Sequence, residues 1–147
     1  MIARVGGRAL LVDGSQRLLL IHERLEHGGS HWLTPGGGVE GDEHPREAAR
    51  RETLEETGIE LDLAADAEAV LVTRRAWSWA GTEYDQIDHF FLARVADGTP
   101  FAPRALTDIE KTTLIGSRWW TVAELRDTAE LLVPPDIGDV LAALLSR

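Results

Sequence analysis

Residues 37–59 read GGVEGDEHPREAARRETLEETGI and join a glycine-rich turn to a segment with helical spacing. A helix is predicted over Pro45–Thr57, because proline is favoured at a first helical position and a glycine follows the last residue. Within it, Glu52 stands three and four residues before Glu55 and Glu56, so the side chains share one face within about one turn. Like charges at these spacings cost roughly 0.2–0.5 kcal/mol per pair. A bound cation would turn this repulsion into a ligand set.

The chain has the size and composition of one globular domain. Its 147 residues are 44% hydrophobic and 27% charged, values typical of a soluble folded protein. No apolar run approaches the roughly 18 residues that a membrane-spanning helix needs, and the N-terminus carries no export signal. The lack of cysteine excludes disulfides and thiolate metal sites. We therefore expect a single domain over residues 1–147, located in the cytoplasm and without a membrane partner.

The charge balance bears on the class of ligand. There are 15 basic and 25 acidic residues, a formal net charge of −10. Nonspecific nucleic-acid binding depends on phosphate neutralisation by Lys and Arg, so this excess of acid predicts no nucleic-acid partner. It does not exclude a small phosphate-bearing substrate, since a bound divalent ion can dominate the local field.

The rest of the chain predicts strands and helices that are interspersed. An Asp13-Gly14 turn between two apolar stretches is a strong hairpin signal. Interspersed strands and helices predict one α/β domain built on a mixed sheet. Strands are predicted at residues 8–12, 17–22, 69–77, 87–95 and 117–120, and helices after the Thr121–Glu124 capping box and from Asp136 to Leu145.

One interpretation of the glycines is a dinucleotide-binding fingerprint. Gly36, Gly38 and Gly41 satisfy G-x-G-x-x-G. That fingerprint needs the last glycine to open a helix whose N-terminus faces a pyrophosphate. Here Asp42 and Glu43 place negative charge where the anion would lie, so we reject this interpretation. A phosphate-binding Walker loop is rejected as well, because no Gly-Lys-Ser/Thr follows.

A second interpretation is a solvated acidic helix face paired with Arg46, Arg50 and Arg51. Runs of charge usually have this structural role. The physical chemistry of these residues alone supports a metal site and a charged surface equally.

The spacing of the whole segment resembles the Nudix box, the signature of the Nudix hydrolases, G-x5-E-x7-R-E-U-x-E-E-x-G-U, in which U is a bulky apolar residue. One position departs from it, since Thr53 occupies the first U; its methyl group can still pack beside Ala49, so we expect a small cost in stability. The resemblance implies a MutT-like enzyme with an α/β/α sandwich around a central mixed β-sheet. The matching residues are Gly37, Glu43, Arg51, Glu52, Glu55, Glu56, Gly58 and Ile59.

The resemblance also implies hydrolysis of a nucleoside diphosphate linked to another moiety, with Mg²⁺ or Mn²⁺ as cofactor. Hard divalent cations prefer oxygen ligands, and Mg²⁺ often bridges carboxylates to substrate phosphates. By resemblance, Glu52 and Glu56 are the primary metal ligands, Glu55 assists directly or through water, and the Gly36 carbonyl completes the set.

The remaining box residues have architectural roles by the same resemblance. Gly37, Glu43 and Gly58 shape the loop and the helix end, and Arg51 together with Glu43 orients Glu52. The general base is either a glutamate of the box or a carboxylate outside it, and the sequence leaves that choice open. The implied catalytic set is Glu52, Glu55, Glu56 and Arg51.

Candidates outside the box are charged and aromatic residues of the following strands and loops. Asp85, Asp88 and Glu110 can supply an extra ligand or base, although such residues are also common in loops and caps. Alternation places Arg75 and Trp77 on one face of a strand, where they either stack a nucleobase beside a cation or pack at the rim of the core. The substrate-binding candidates are Arg24, Arg75, Trp77, Asp85 and Glu110.

Substrate choice is less determined than reaction class. The chain lacks the motifs that mark NADH-type and ADP-ribose-type enzymes, and it has no cysteine for isoprenoid isomerisation. This leaves (deoxy)nucleoside triphosphates or dinucleoside polyphosphates, and the family resemblance allows a homodimer. The alternative is a Nudix-fold binding or sensor module without turnover, which would be expected to carry a damaged box; this box is intact.

Overall fold

A computed structural model describes residues 1–147, which form eight strands and four helices. In chain order these are β1 (Ile2–Val12), β2 (Leu18–Arg24), β3 (Ser30–Leu33), β4 (Gly36–Gly38), α1 (Pro45–Thr57), β5 (Leu71–Trp79), β6 (Thr82–Arg94), α2 (Asp108–Thr113), β7 (Leu114–Trp120), α3 (Val122–Asp127), β8 (Leu132–Val133) and α4 (Ile137–Leu145).

All the strands belong to one mixed sheet. Its main path runs β5-β6-β1-β2-β3-β8, while β4 pairs with β1 and β7 pairs with β2. The long central strand β1 is parallel to β6 and antiparallel to β2 and β4. Because β4 lies on β1, the glycine turn that precedes α1 is held against the centre of the sheet.

Two apolar cores lie on opposite faces of the sheet. Since side chains alternate along a strand, Leu10 of β1 faces one core and Leu11 faces the other. The first core contains Leu141 of α4 and Leu125 of α3, and the second contains Ala49 of α1. Helices therefore cover both faces, which confirms the predicted α/β/α arrangement around a mixed sheet.

Strand β2 is buried on both of its faces in its first half. Residues 18–21 are all buried, so this strand contributes to both cores. The predicted hairpin with β1 is present, and the Asp13 carboxylate accepts hydrogen bonds from the amides of Ser15 and Arg17 in the turn. Trp119 and Trp120 both pack against the cores.

Helix α1 begins and ends at the predicted residues. His44 caps it weakly, through one hydrogen bond from the Arg46 amide to Nδ1 at 3.0 Å. Gly58 follows the last turn with φ at +74°, and a Cβ there would lie 2.3 Å from the Ala102 carbonyl oxygen. Both the turn and the close approach therefore require glycine at this position.

Several elements are longer than predicted or were not predicted. Strand β6 begins at Thr82 rather than at residue 87, and β1 begins at Ile2 rather than at residue 8. The short elements β3, β4, α2 and β8 were not predicted as such, because segments of six residues or fewer carry no usable periodicity. No helix has the length and apolar character needed to cross a bilayer.

Candidate functional site

Three carboxylates from two helices meet at one point. Glu52 and Glu56 lie one turn apart on α1, and Glu110 reaches them from α2. One carboxylate oxygen from each lies within 4.8 Å of the others. Glu55 is not a member of this group. Its side chain is 37% exposed, and its Oε2 lies 3.8 Å from Nη1 of Arg51. The structure thus joins two box glutamates to a candidate from outside the box.

The glycine turn allows the helix to approach the sheet closely. A Cβ on Gly37 would lie 2.5 Å from the carboxyl carbon of Glu52, so any larger residue would displace that carboxylate. Gly36 and Gly37 both line the cavity next to Glu52 and Glu56. The backbone of β4 therefore lies beside the carboxylates of Glu52 and Glu56 in this cavity.

Arg51 connects the turn to the helix. It donates to both carboxylate oxygens of Glu43, at 3.0 and 2.9 Å, and to the Gly38 carbonyl at 3.0 Å. A further hydrogen bond of 2.8 Å reaches Oε1 of Glu52. The hydrogen bonds from Arg51 hold the pKa of Glu43 below its ordinary value. The same guanidinium that fixes the loop thus restrains one carboxylate of the cluster.

The electrostatics of the cluster favour a cation. Burial raises the pKa of Glu56 well above its ordinary value, and the nearby Glu110 and Glu52 raise it further, against the opposing effect of Arg8. Burial and then Glu52 also raise the pKa of Glu55. Crowded carboxylates are protonated in this way unless a positive ion compensates them. Oxygen-only donors at this separation suit a hard divalent cation, so the residues present fit Mg²⁺ or Mn²⁺.

Glu110 has a second contact besides the cluster. Its Oε1 accepts from the Thr107 amide at 2.8 Å, while its own amide donates to the Thr107 hydroxyl at 3.1 Å. This reciprocal capping box begins α2. The capping role and the membership of the acidic cluster, which were alternatives for Glu110 in the sequence, are both present.

A cavity of about 400 Å³ extends from the cluster, and the cluster residues line it. Arg75, Trp77 and Arg24 also line this cavity. Trp77 stacks on Tyr84 with ring centroids 4.3 Å apart and an interplanar angle of 19°. The cavity therefore combines acidic, cationic and aromatic side chains, which is a suitable lining for a ligand with phosphates and a flat ring.

Asp85 is placed elsewhere. It lies on the opposite face of β6 from Tyr84 and Gln86, which line the cavity. Its carboxylate pairs with Arg74 through hydrogen bonds of 2.9 and 2.6 Å on an exposed surface. The structure therefore does not bring Asp85 to the other candidates, because the strand register turns its side chain outward.

Asp88 is buried, but it is not part of the acidic cluster. Burial would raise its pKa, but Arg8, the Gln86 amide and Arg75 outweigh burial and lower it. A carboxylate with such partners is a fixed negative charge rather than a proton carrier. Arg8 and Gln86, which were not among the candidates, could have been found as buried polar residues on the inward faces of β1 and β6 had β6 been predicted in full.

Comparisons with known proteins show which family the chain resembles. The model of the NUDIX domain matches residues 3–144. A relative from Roseobacter denitrificans described as an RNA pyrophosphohydrolase is 33% identical over 85 residues, which are 58% of this chain and 50% of the relative. The chain thus spans about half the length of that curated relative.

Solved structures extend the match across the chain. A MutT NUDIX hydrolase from Burkholderia pseudomallei is 26% identical with a TM-score of 0.65, covering 94% of this chain and 96% of that one. A NUDIX-family hydrolase from Clostridium perfringens has a TM-score of 0.66 at 16% identity, with 99% of both chains covered, and shows the fold alone. The predicted family is confirmed. The chain belongs to the NUDIX domain family.

Proposed function

We propose that this protein is a divalent-cation-dependent pyrophosphohydrolase. Its substrate is a nucleoside diphosphate linked to another moiety, and (deoxy)nucleoside triphosphates are the favoured class. The observation that carries this proposal is the meeting of Glu52, Glu56 and Glu110 at the end of a cavity that also contains Arg75 and Trp77. An acidic cluster alone would repel phosphates, whereas a cluster that holds a cation attracts them.

In the proposed site, Glu52, Glu56 and Glu110 hold Mg²⁺ or Mn²⁺, with support from Glu55 and the Gly36 carbonyl. The bound cation would offset phosphate charge and lower the pKa of the attacking water. Arg51 keeps Glu52 in place through its 2.8 Å hydrogen bond.

The chain's other residues bind substrate and move the proton. Arg75 and, at the end of β2, Arg24 supply positive charge for phosphate oxygens, and Trp77 supplies an aromatic surface. The water oxygen attacks phosphorus, the anhydride P–O bond breaks, and the water proton passes to a carboxylate of the cluster or of the box.

A panel assay tests the proposal. ATP, GTP, the four deoxynucleoside triphosphates, a dinucleoside tetraphosphate and a 5′-triphosphorylated RNA are each incubated with Mg²⁺ or Mn²⁺, and released phosphate and pyrophosphate are measured. We expect turnover of at least one mononucleotide that stops when EDTA is added. Binding of nucleotide without product release would instead support the alternative, a sensor module on the same fold.

A second candidate substrate is the 5′-triphosphate end of RNA. The identity to a relative described as an RNA pyrophosphohydrolase favours it. The net charge of −10 opposes extended contact with an RNA backbone. A kcat/KM for the RNA that exceeds every mononucleotide value would make RNA the substrate.

A further inference from the structure

We propose that Gln86 and Asp88 are positioning residues that hold Arg8, Arg75 and Trp77 together as one preformed wall for substrate phosphates. This role rests on the proposed function, and it concerns how tightly the substrate binds rather than the chemical step. Neither residue belongs to the Nudix box or to the acidic cluster. Both lie on the cavity face of β6.

The first observation is a buried chain of hydrogen bonds. Trp77 Nε1 donates to Gln86 Oε1 at 2.8 Å, and Gln86 Nε2 donates to Asp88 Oδ1 at 2.7 Å. Gln86 and Asp88 are each 1% exposed. Because the Gln86 oxygen faces an indole donor and its nitrogen faces a carboxylate, only one orientation of this amide satisfies both partners. The indole ring is thereby fixed relative to the carboxylate.

The second observation is that one carboxylate holds two guanidiniums. Asp88 Oδ2 lies 3.2 Å from Arg8 Nε and 3.4 Å from Arg75 Nε. Arg8 is further fixed by a 2.8 Å hydrogen bond from Nη1 to the Thr34 carbonyl. One negative charge between two positive charges leaves the wall with an excess of positive charge. Burial and then the neighbouring Arg8 lower the pKa of Arg75, as expected where cations are crowded.

The third observation is the part of Arg75 that remains available. Its contact with Asp88 uses Nε, and the terminal nitrogens have no hydrogen-bond partner within the protein. The guanidinium carbon lies 5.6 Å from the centre of the Trp77 ring, and the side chain is 23% exposed in the cavity wall. A guanidinium held by one edge presents its other donors in a fixed direction, which suits the oxygens of a phosphate.

The side chains of this network pack closely against the backbone of β1. A Cβ on Gly6 of β1 would lie 2.3 Å from Asp88 Oδ1 and 2.8 Å from Gln86 Nε2. The wall therefore exists before substrate arrives, and the cost of ordering the arginines is met during folding. Without Gln86 and Asp88 the arginines would become ordered only when substrate binds, so substrate binding should be weaker.

Gln86→Met tests the relay without changing any charge. Methionine has similar volume but neither donates nor accepts as the amide does, so Trp77 and Asp88 both lose a partner. We expect KM for the best nucleotide of the panel to rise about tenfold at saturating Mg²⁺, with kcat within about twofold. Unchanged KM in a folded Gln86→Met protein would overturn the inference, as would a loss confined to kcat.

Asp88→Asn tests the charge, and Asp13→Asn is its matched control. Asp13 is 2% exposed and pairs with Arg17 at 2.8 Å, yet it lies in the β1–β2 turn and does not line the cavity. We expect both variants to lower the melting temperature, but only Asp88→Asn to raise KM. An equal rise in KM in Asp13→Asn would mean that general loosening, rather than positioning, weakens binding.

Equilibrium titration with the α,β-methylene analogues of ATP and GTP separates this inference from the proposed function. These analogues resist cleavage at the methylene linkage, and a check that no phosphate is released during the titration ensures that they report binding alone. If the wild-type chain hydrolyses nothing in the panel, the proposed function fails, but about tenfold weaker analogue binding by Gln86→Met still supports the wall. Equal affinity in the variant, or no binding of either analogue to the wild-type chain, overturns it.

Discussion

Glu52, Glu55 and Glu56 are neighbours in sequence, yet their carboxylates have three different surroundings. Glu52 is 17% exposed and accepts a hydrogen bond from Arg51, and Glu55 is 37% exposed beside the same arginine. Glu56 lies deepest in electrostatic terms, because burial, Glu110 and Glu52 all favour its neutral form. Of the three, Glu56 therefore gains most from a bound cation.

Glu56→Gln should lower turnover about 100-fold or more while the fold is kept, because an amide is a far poorer ligand for a hard cation. Initial rates measure turnover, and calorimetric titration with Mn²⁺ measures cation binding. Glu47→Gln is the control, since this residue of the same helix is 52% exposed and lies outside the cavity. Turnover within a few-fold of wild type would remove Glu56 from the ligand set.

A second prediction at the scale of residues concerns the Thr53 hydroxyl. This side chain is fully buried and its oxygen has no hydrogen-bond partner, whereas Thr57 donates to the Thr53 carbonyl at 2.6 Å and accepts from the Ile59 amide at 3.1 Å. Thr53→Val should therefore raise the free energy of unfolding by about 1 kcal/mol, and Thr57→Val should lower it by about 1–3 kcal/mol. Urea unfolding measures both. Changes of the same sign in the two variants would contradict the assignment.

At the scale of elements, the contact between the glycine turn and α1 depends on the ion pair of Glu43 and Arg51. The folded-state pKa of Glu43 is below its ordinary value of 4.5, chiefly because of the hydrogen bonds from Arg51. Its contribution to stability is therefore present above pH 4.5 and is lost as pH falls through the folded-state value. Glu43→Gln should lose less stability than wild type on acidification.

Urea unfolding between about pH 6 and pH 3 measures this difference. Glu60→Gln, which removes an exposed carboxylate with no ion-pair partner, should follow the wild-type curve. A Glu43→Gln curve parallel to wild type over the whole range would show that the ion pair of Glu43 and Arg51 makes no pH-dependent contribution to the free energy of unfolding.

The sequence predicted α1 well because every signal for it is local: proline at the start, glycine after the end, and regular spacing between. The first half of β6 was missed because Glu83 and Asp85 have low strand propensity. Pairing with β1 and β5 on either side imposes the extended conformation there. Tertiary context thus overrides propensity in this strand.

The same limit applies to the site. The position of Glu52 and Glu56 on one helix face follows from their spacing, and the family resemblance implied their role as ligands. The outward direction of Asp85 and the inward direction of Asp88 depend on a strand register that a single sequence does not show. The approach of Glu110 to α1 depends on the path of the chain between β6 and α2. Contacts of this long-range kind cannot be obtained from local periodicity.

At the scale of the whole molecule, cation binding should stabilise the fold. A ligand that binds only the native state raises its stability, by about 2.7 kcal/mol at a hundred times Kd. We expect the melting temperature to rise by several degrees as Mg²⁺ is added, and Glu52→Gln to suppress most of this rise. Scanning fluorimetry at constant ionic strength measures it. An equal rise with NaCl alone would attribute the effect to screening.

The shared carboxylate of Glu110 has a mechanical consequence. One oxygen holds the first turn of α2 through the Thr107 amide, while the same group stands beside Glu52 and Glu56. In the proposed site, ion binding and the stability of this short helix would therefore be thermodynamically linked. Thr107 is not one of the proposed ligands, yet a substitution there would hold Glu110 less firmly beside the bound ion. Loss of the ion would in turn leave the first turn of α2 less firmly held.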